Sequence, residues 1–534
     1  MSVLSNHLVK NDEQCSSDKA VVLIVFAFLV CASFSAVLLT PIPAMVDYLN
    51  HLARMYVLAS DGMPGANPYY HAAWALYPNL SMDLLVPQLA RAFNVDTASR
   101  IFLLLSQGLV ISGALALERI VKGRFEIAGF VAVMFLYSLP FSWGFLNFEF
   151  GVGLSLWGIA FMLLVMELPW LVRLSVNAVF VSMLFAAHFF ALGIYGATLG
   201  ICELWRAWDR NAPHSETAFR LALLAVPALA LLGAMQLTGG TIGFAETDWF
   251  FTFKLLWPFR IMSGYSMTSA ATSMVVLTGV IYIAAKHGYL QLETRGLWIA
   301  IGFALLYIAI PSRLFGSAFA DLRILVAAAL VLPAFCTLAM PRRALRAMLA
   351  ATSTITLVNL AIVLTVWLSY RADYAAMIDS FHQLKAGSTV LVGASGDGDD
   401  PPFHDLTEYP MYHAPTLAAA YANAFVPNLF AVVGEQPIQV RPAVRRLAVR
   451  IVGPVPVAVL TAIATGNTAP EVPQFIRSWT QDYDYLYLLG PPIANPMPKL
   501  LETLVTSRRF VLYRIHRAHQ IADPSLEPSY FSLN

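Results

Sequence analysis

The sequence predicts a polytopic α-helical membrane protein with about 11 transmembrane helices, followed by a small α/β domain. Of its 534 residues, 58% are hydrophobic and only 12% are charged, and the mean hydropathy is +0.66. A soluble domain carries about twice that share of charged residues. The apolar residues fall in runs long enough to span a bilayer, and no such run follows residue 370.

Eleven apolar stretches approach the length of about 20 residues that a helix needs to cross the hydrocarbon core. They are 20–40, 101–118, 126–141, 150–167, 172–188, 191–206, 218–237, 270–285, 296–311, 324–340 and 347–369. The first stretch is too long for the apolar core of a signal peptide, so we expect it to be retained as a span. The chain then divides into a tail at 1–19, a transmembrane domain at 20–370 and a C-terminal domain at 371–534.

Alternate connections between these stretches are short and basic, and they indicate the orientation of the chain. Their basic residues are Arg119, Lys122, Arg124, Arg173, Arg206, Arg210, Arg220, Lys286, Arg295, Arg342, Arg343 and Arg346. By the positive-inside rule these connections face the cytoplasm. The tail at 1–19 is then cytoplasmic, and the long first loop at 42–100 and the C-terminal domain are extracytoplasmic. We therefore expect a multi-pass protein of the plasma membrane, the inner membrane of a bacterium.

The C-terminal domain is predicted to be a small α/β unit. Residues 388–393, 483–489 and 509–515 have the composition of buried strands, and 498–507 is predicted to form a helix. All four cysteines lie at or before Cys336. No disulfide framework is therefore predicted for this domain.

A polar cluster opens the first outer loop, directly after the first span. Asp47, Asn50, His51 and Arg54 stand at i, i+3, i+4 and i+7, so a helix would place them on one face. A carboxylate at this position could act as a general base toward an acceptor hydroxyl, or help to hold a divalent cation such as Mg or Mn. The alternative is a helix end whose polar residues only cap and solvate it.

Other charged residues in outward connections could complete a site. Glu149, Glu246 and Asp248 are candidates for a second carboxylate, or are simply solvated. Arg313, Asp321 and Arg323 fall where two spans meet the outer face. Charges at that depth are costly unless they are paired or wet. Two arginines for one aspartate predict spare positive charge for an anion such as a phosphate.

The layout resembles the GT-C superfamily of integral-membrane glycosyltransferases. That superfamily includes oligosaccharyltransferases, protein O-mannosyltransferases and bacterial lipid-A aminoarabinose transferases. The similarity lies in a cytoplasmic N-terminus, a long first outer loop that opens with an acid, many further spans and a C-terminal domain on the outer side. In motif it rests on Asp47 within the segment VDYLNHLAR.

The resemblance implies transfer of a sugar from a polyprenyl-phosphate carrier to a hydroxyl of a saccharide, lipid or protein acceptor. Asp47 would take the role of the first-loop carboxylate, as base or metal ligand, and Arg313 or Arg323 would hold the lipid phosphate. The remaining candidates for substrate binding are Asn50, His51, Arg54, Glu149, Glu246, Asp248 and Asp321. The loop lacks a D-x-D motif, since its next acids are Asp61 and Asp83, so the sequence does not decide metal dependence.

Several rival functions remain open at the level of sequence. A transporter or flippase for lipid-linked saccharides would need polar groups in the middle of spans, and a polymerase of the O-antigen type would place its large outer loop late in the chain. An O-acyltransferase would rely on His188. The chain could also be purely structural. The net charge of +1 gives no reason to expect nucleic acid as a partner.

Overall fold

The structure is a computed structural model. It describes residues 2–238, 247–314, 317–396, 406, 409–449, 453–467 and 472–516, with side chains from residue 19 onward.

The first two thirds of the chain form a helical bundle. In chain order its helices are α1 (Ser2–Leu39), α2 (Tyr48–Ser60), α3 (Ser81–Leu89), α4 (Val95–Lys122), α5 (Ala128–Phe135), α6 (Leu139–Trp143), α7 (Leu146–Leu164), α8 (Trp170–Ala187), α9 (Phe189–Asp209), α10 (His214–Leu237), α11 (Phe251–Arg260), α12 (Met267–Lys286), α13 (Thr294–Ala309), α14 (Ala320–Val331) and α15 (Arg342–Ser369). A 3-10 helix at Leu332–Phe335 continues α14.

Nine of the eleven predicted spans coincide with single helices, but the predicted number of crossings is not confirmed. Seven helices in the described part of the chain are long and apolar enough to cross a membrane: α1 from Lys19, α4, α7, α8, α10, α12 and α15. The predicted span 126–141 is interrupted between α5, which ends at Phe135, and α6, which begins at Leu139 after its N-cap residue Ser138. The predicted span 324–340 leaves α-helical geometry after Val331.

Glycines let α4 and α7 pack closely against each other. A Cβ atom on Gly113 of α4 would lie 2.8 Å from the carbonyl oxygen of Gly153 and 2.8 Å from Cβ of Leu156, both in α7. A Cβ on Gly153 would lie 2.7 Å from the backbone of Leu109. Small residues let helix backbones approach closely inside a membrane, where dispersion contacts replace the hydrophobic driving force.

The C-terminal part is built on a five-stranded mixed sheet. Its strands stand in the order β10 (Leu501–Thr506), β11 (Phe510–Ile515), β9 (Tyr485–Leu489), β6 (Val390–Ala394) and β8 (Val455–Pro456). β6 pairs in parallel with β8 and β9, whereas β11 pairs antiparallel with β9 and β10. The helices are α16 (Arg371–Ser380), α17 (Ala418–Tyr421), α18 (Val457–Ala464), α19 (Gln474–Arg477) and α20 (Trp479–Asp482), with 3-10 helices at Phe381–Gln383, Ala414–Leu417 and Pro442–Leu447.

The predicted strands β6, β9 and β11 are confirmed, but the predicted helix at 498–507 is wrong. That segment is the strand β10. Its β-branched residues Thr503, Val505 and Thr506 suit a strand, and they pair with β11 in an antiparallel register that contains one irregularity between Thr503 and Val505. The segment therefore forms the edge of the sheet.

The long first loop packs directly against the C-terminal part. Its strand β1 (Tyr70–Ala72) pairs antiparallel with β7 (Ile438–Val440), and the hydroxyl of Tyr70 donates to the carbonyl of Val426. Two further two-stranded sheets, β2 (Leu290–Leu292) with β5 (Cys336–Leu338) and β3 (Arg313–Leu314) with β4 (Ser317–Ala318), join connections within the bundle. The first loop is thereby fixed between the bundle and the C-terminal sheet.

The glycine contact between α4 and α7 gives a first prediction. Gly113→Ala should destabilise the bundle by about 1–3 kcal/mol, because the new methyl group meets backbone that cannot move aside. Gly108→Ala is the matched control, since its Cβ on the same helix would have no atom within 4 Å. Thermal unfolding in detergent compares the two variants. Equal unfolding temperatures would contradict the close contact.

Candidate functional site

A cavity of about 260 Å³ lies where the first loop, the bundle and the C-terminal part meet. The bundle contributes the turn before α7, the junction between α8 and α9, and the start of α14. The first loop contributes the start of α2, and the C-terminal part contributes residues 430–436. The polar side chains that line the cavity are Asp47, His51, Arg54, Asn79, Asn147, His188, Ser317, Arg323, Glu435 and Gln436.

Asp47 stands at the residue before α2 and lines this cavity. Its backbone N–H donates to the carbonyl of Trp143 at 2.9 Å, and its side chain is 17% exposed. Gly144 makes this placement possible. Its φ is +91°, and a Cβ there would lie 3.0 Å from Cβ of Asp47. Only glycine adopts this conformation at little cost while leaving room for the aspartate.

His413 of the C-terminal part lies beside this carboxylate. Its Nε2 is 3.4 Å from Oδ1 of Asp47, and its ring packs edge-on against Phe430 at 5.2 Å between centroids. His413 was not among the sequence-predicted residues. No local pattern marks it, since it follows Asp47 by more than 360 positions and stands in a segment without regular spacing.

Asn50 is fully buried and holds α2 to the C-terminal part. Its amide NH₂ donates to the carbonyl of Asn428 at 2.8 Å, and its amide oxygen accepts from the N–H of Phe430 at 2.8 Å. The residue does not line the cavity. The polar face predicted for α2 therefore exists, but this member of it serves docking.

His51 faces the cavity beside Asp47, with its ring edge-on to Phe430 at 5.5 Å. Its Nδ1 has no hydrogen-bond partner within the described ranges. Burial lowers the pKa of the His51 imidazole well below its ordinary value, and the positive charge of Arg54 lowers it further. His51 is therefore neutral at pH 7 and offers the cavity a polar but uncharged surface.

Arg54 lines the cavity, but its charge is neutralised inside the protein. Its Nε and Nη2 donate to the two carboxylate oxygens of Asp83 at 2.7 and 2.9 Å, and both side chains are at most 3% exposed. This bidentate pair joins α2 to α3. The guanidinium that was predicted to bind substrate is thus occupied by a structural partner.

Arg323 lies in the cavity wall, and no carboxylate among the described residues forms an ion pair with it. It is 3% exposed, and its guanidinium carbon lies 4.6, 5.5 and 4.7 Å from the ring centroids of Phe145, Phe148 and Phe190. Its Nη2 donates to the carbonyl of Ala318 at 3.2 Å. Its Nε and Nη1 have no hydrogen-bond partner in the described part of the chain. These two donors are free to hold an anion.

The expected grouping of Arg313, Asp321 and Arg323 is not observed. Asp321 is fully buried and binds Lys254 at 3.2 Å and the hydroxyl of Ser312 at 2.7 Å. Arg313 instead lies 3.5 Å from Asp248, and both side chains are about 40% exposed. Asp321 is thus neutralised by a lysine on α11 that the sequence analysis did not assign to it, and neither ion pair lines the cavity.

Of the remaining predicted residues, His188 lines the cavity and Glu149 does not. Glu149 is buried in α7 and borders a separate, much smaller cavity. Glu246 lies outside the described residues. His188 does line the main cavity, but its Nδ1 accepts the N–H of Phe190 and caps α9. This hydrogen bond gives His188 a structural role as the N-cap of α9.

The described residues of the cavity do not form a set of ligands for a divalent cation. The described ranges contain no group of three or more His, Cys, Asp or Glu side chains placed to hold a metal. Mg²⁺ and Mn²⁺ prefer several oxygen ligands, whereas Asp47 faces two histidine rings. The residues of the cavity therefore do not fit a metal.

The whole fold is similar to that of a solved membrane protein. The crystal structure of ArnT from Cupriavidus metallidurans in the apo state matches with a TM-score of 0.50 and 11% identity, over 93% of this chain and 98% of that chain. ArnT from the same organism bound to undecaprenyl phosphate matches with a TM-score of 0.48 and 12% identity over the same shares. No protein-family model and no curated protein sequence matches the chain. The expected fold, a bundle of apolar helices followed by a small C-terminal domain, is confirmed by this likeness.

Variants of the Arg54–Asp83 pair test whether Arg54 stabilises the fold or binds substrate. Asp83→Asn should cost about 3–5 kcal/mol of stability, because it leaves the buried guanidinium without a counter-charge. Arg54→Met combined with Asp83→Leu should be less destabilising than Asp83→Asn, since it removes both charges. Glu502→Gln, which breaks an exposed pair with Arg514, should change stability by at most about 1 kcal/mol. Unfolding in detergent measures all three. If the double variant were the least stable, the pair would not have the structural role assigned to it.

Proposed function

We propose that the chain is a membrane glycosyltransferase that moves a sugar from a polyprenyl-phosphate donor to an acceptor hydroxyl at the outer face of the membrane. The observation that carries the proposal is the joint presence of Asp47 and Arg323 in the wall of one cavity. A carboxylate and an unpaired guanidinium are the two charges that such a transfer needs. The GT-C fold shared with ArnT supports the same reaction class.

Asp47 is the general base in this reaction. Its carboxylate takes the proton of the acceptor hydroxyl while the acceptor oxygen bonds to the anomeric carbon of the sugar. The bond between that carbon and the phosphate oxygen breaks, and its electron pair leaves with the polyprenyl phosphate. A base must lie within hydrogen-bond reach of the proton that it removes. The partial exposure of Asp47 to the cavity meets this requirement.

Arg323 stabilises the phosphate that leaves. Three phenylalanine rings hold its guanidinium in apolar surroundings, where an electrostatic interaction is stronger than in water. Nε and Nη1 can then donate two hydrogen bonds to phosphate oxygens in the planar geometry that suits arginine. Negative charge develops on the phosphate oxygen as the bond breaks, so the interaction is strongest in the transition state.

The surroundings of the cavity suit a donor that is half lipid and half saccharide. The apolar helices of the bundle border it on one side, and Glu435 and Gln436 of the C-terminal part border it on the other. With the basic connections in the cytoplasm, the cavity opens on the outer side of the bacterial inner membrane. The acceptor, whether saccharide, lipid or protein, approaches from the C-terminal part.

The central prediction concerns Asp47. Asp47→Asn should lower the turnover number for sugar transfer by at least about 100-fold, because the amide cannot take the proton. Asp61→Asn is the matched control in the same loop, since its amide oxygen can still accept from the N–H of Ala72. Transfer is measured with purified protein and a polyprenyl-phosphate sugar. Full turnover of the Asp47→Asn variant would rule out Asp47 as the base, whereas no transfer by the unaltered protein would favour a transporter or polymerase.

The second prediction decides which arginine holds the donor phosphate. Arg323→Met should weaken donor binding about 10- to 100-fold, the value of one or two charge-assisted hydrogen bonds. Arg313→Met removes an exposed arginine outside the cavity and should leave donor binding within about twofold. Binding of the polyprenyl phosphate without its sugar measures both variants. The reverse result would assign the phosphate to Arg313.

A further inference from the structure

The hydrogen bonds around Asn50 fix the protonation pattern of His413. The amide oxygen of Asn50 accepts from the backbone N–H of Phe430, which can only donate. Its NH₂ group donates to the backbone carbonyl of Asn428, which can only accept. These two backbone partners leave one orientation for the amide. Asn50 therefore presents N–H, not oxygen, to its remaining neighbour.

That remaining neighbour is Nδ1 of His413, 3.1 Å from the NH₂ nitrogen of Asn50. Because the amide donates, Nδ1 must accept and carries no proton. The neutral ring then has its proton on Nε2, the nitrogen that lies 3.4 Å from Oδ1 of Asp47. The imidazole is held in this place by Phe430 and by Tyr412, whose ring is 4.8 Å away.

We propose that His413 is a positioning residue for Asp47. Resting on the function proposed above, this inference holds that Nε2–H donates to Oδ1 and turns the carboxylate so that Oδ2 faces the acceptor hydroxyl. A separation of 3.4 Å is long for a hydrogen bond, but such contacts in unliganded sites often tighten when substrate binds. The catalytic centre is then shared. The first loop supplies the base, and the C-terminal part supplies the group that orients it.

A purely structural role is the competing explanation, since His413 also helps to dock the C-terminal part on α2. The first loop contains a second docking amide with no link to Asp47. The NH₂ group of Asn67, which is 5% exposed, donates to the carbonyls of Ala419 and Ala424 at 2.8 and 3.0 Å. Asn67→Ala therefore reports what weakened docking does by itself.

Two variants of His413 separate the two explanations. In His413→Asn the side-chain oxygen takes the place of Nδ1 and keeps the bond to Asn50, but nothing replaces the Nε2–H donor. In His413→Gln the amide NH₂ takes the place of Nε2–H and can still donate to Asp47, but the acceptor for Asn50 is lost. A structural role predicts that His413→Gln is the more damaged variant, and a positioning role predicts the opposite.

The experiment measures turnover and the KM for a polyprenyl-phosphate sugar in the full-length protein, per amount of folded protein. We expect His413→Asn to lower turnover about 100-fold, the effect of a misplaced catalytic group, with donor KM within about twofold. His413→Gln should stay within about tenfold of the unaltered protein. Asn67→Ala should lower the unfolding temperature and leave turnover per folded molecule unchanged.

Three results would overturn the inference. These are full turnover in His413→Asn, a His413→Gln variant slower than His413→Asn, and a His413→Asn variant that loses only folded protein, as Asn67→Ala does. None of these results contradicts the proposed function as long as the Asp47→Asn variant is inactive. Full turnover of Asp47→Asn would instead remove the proposed base, and no transfer by the unaltered protein would remove the transferase itself, so these failures are distinguishable from that of the inference.

Discussion

The site depends on the docking of the C-terminal part onto the first loop, and one buried amide carries much of that docking. Asn50 satisfies two backbone groups of the segment 428–430 and one ring nitrogen of His413. If the two parts separated without water taking their place, each of these buried groups would cost about 1–3 kcal/mol. Asp47 precedes Asn50 by one helical turn. The contact that joins the two parts therefore also sets the position of the carboxylate relative to the cavity.

The charges around the cavity differ in whether the protein has already neutralised them. Arg54 forms an ion pair with Asp83. Asp321 forms an ion pair with Lys254 and accepts a hydrogen bond from Ser312. Such pairs stabilise the fold only when both partners are present, and they have no charge left for a ligand. Arg323 is surrounded by aromatic rings instead of carboxylates. Its desolvation is compensated in part by the ring faces, and an anionic ligand would complete the compensation.

The sequence predicts what depends on composition and local period, and it misses what depends on the folded arrangement. The apolar stretches, three of the sheet strands and the helix α2 follow from such local signals. His413 does not, since its neighbour Asn50 stands 363 positions earlier. The sequence also did not predict the break between α5 and α6 or the strand β10. A short apolar segment has no length or period that distinguishes a helix from a strand. The partner of Asp321 was not predicted either, because Lys254 is distant in the sequence whereas Arg313 and Arg323 are near.

A shared helical face does not imply a shared task, and α2 shows the physical reason. Asp47, Asn50, His51 and Arg54 point to the same side of the helix, yet that side meets three different surroundings. The start of the helix faces the cavity. Asn50 forms a hydrogen bond with the backbone of the C-terminal part, and Arg54 forms an ion pair with Asp83 of α3. Of these four residues, Asp47 and His51 present polar atoms to the cavity that no structural partner neutralises. Because burial keeps His51 uncharged, the negative charge available for chemistry at this end of the cavity belongs to Asp47.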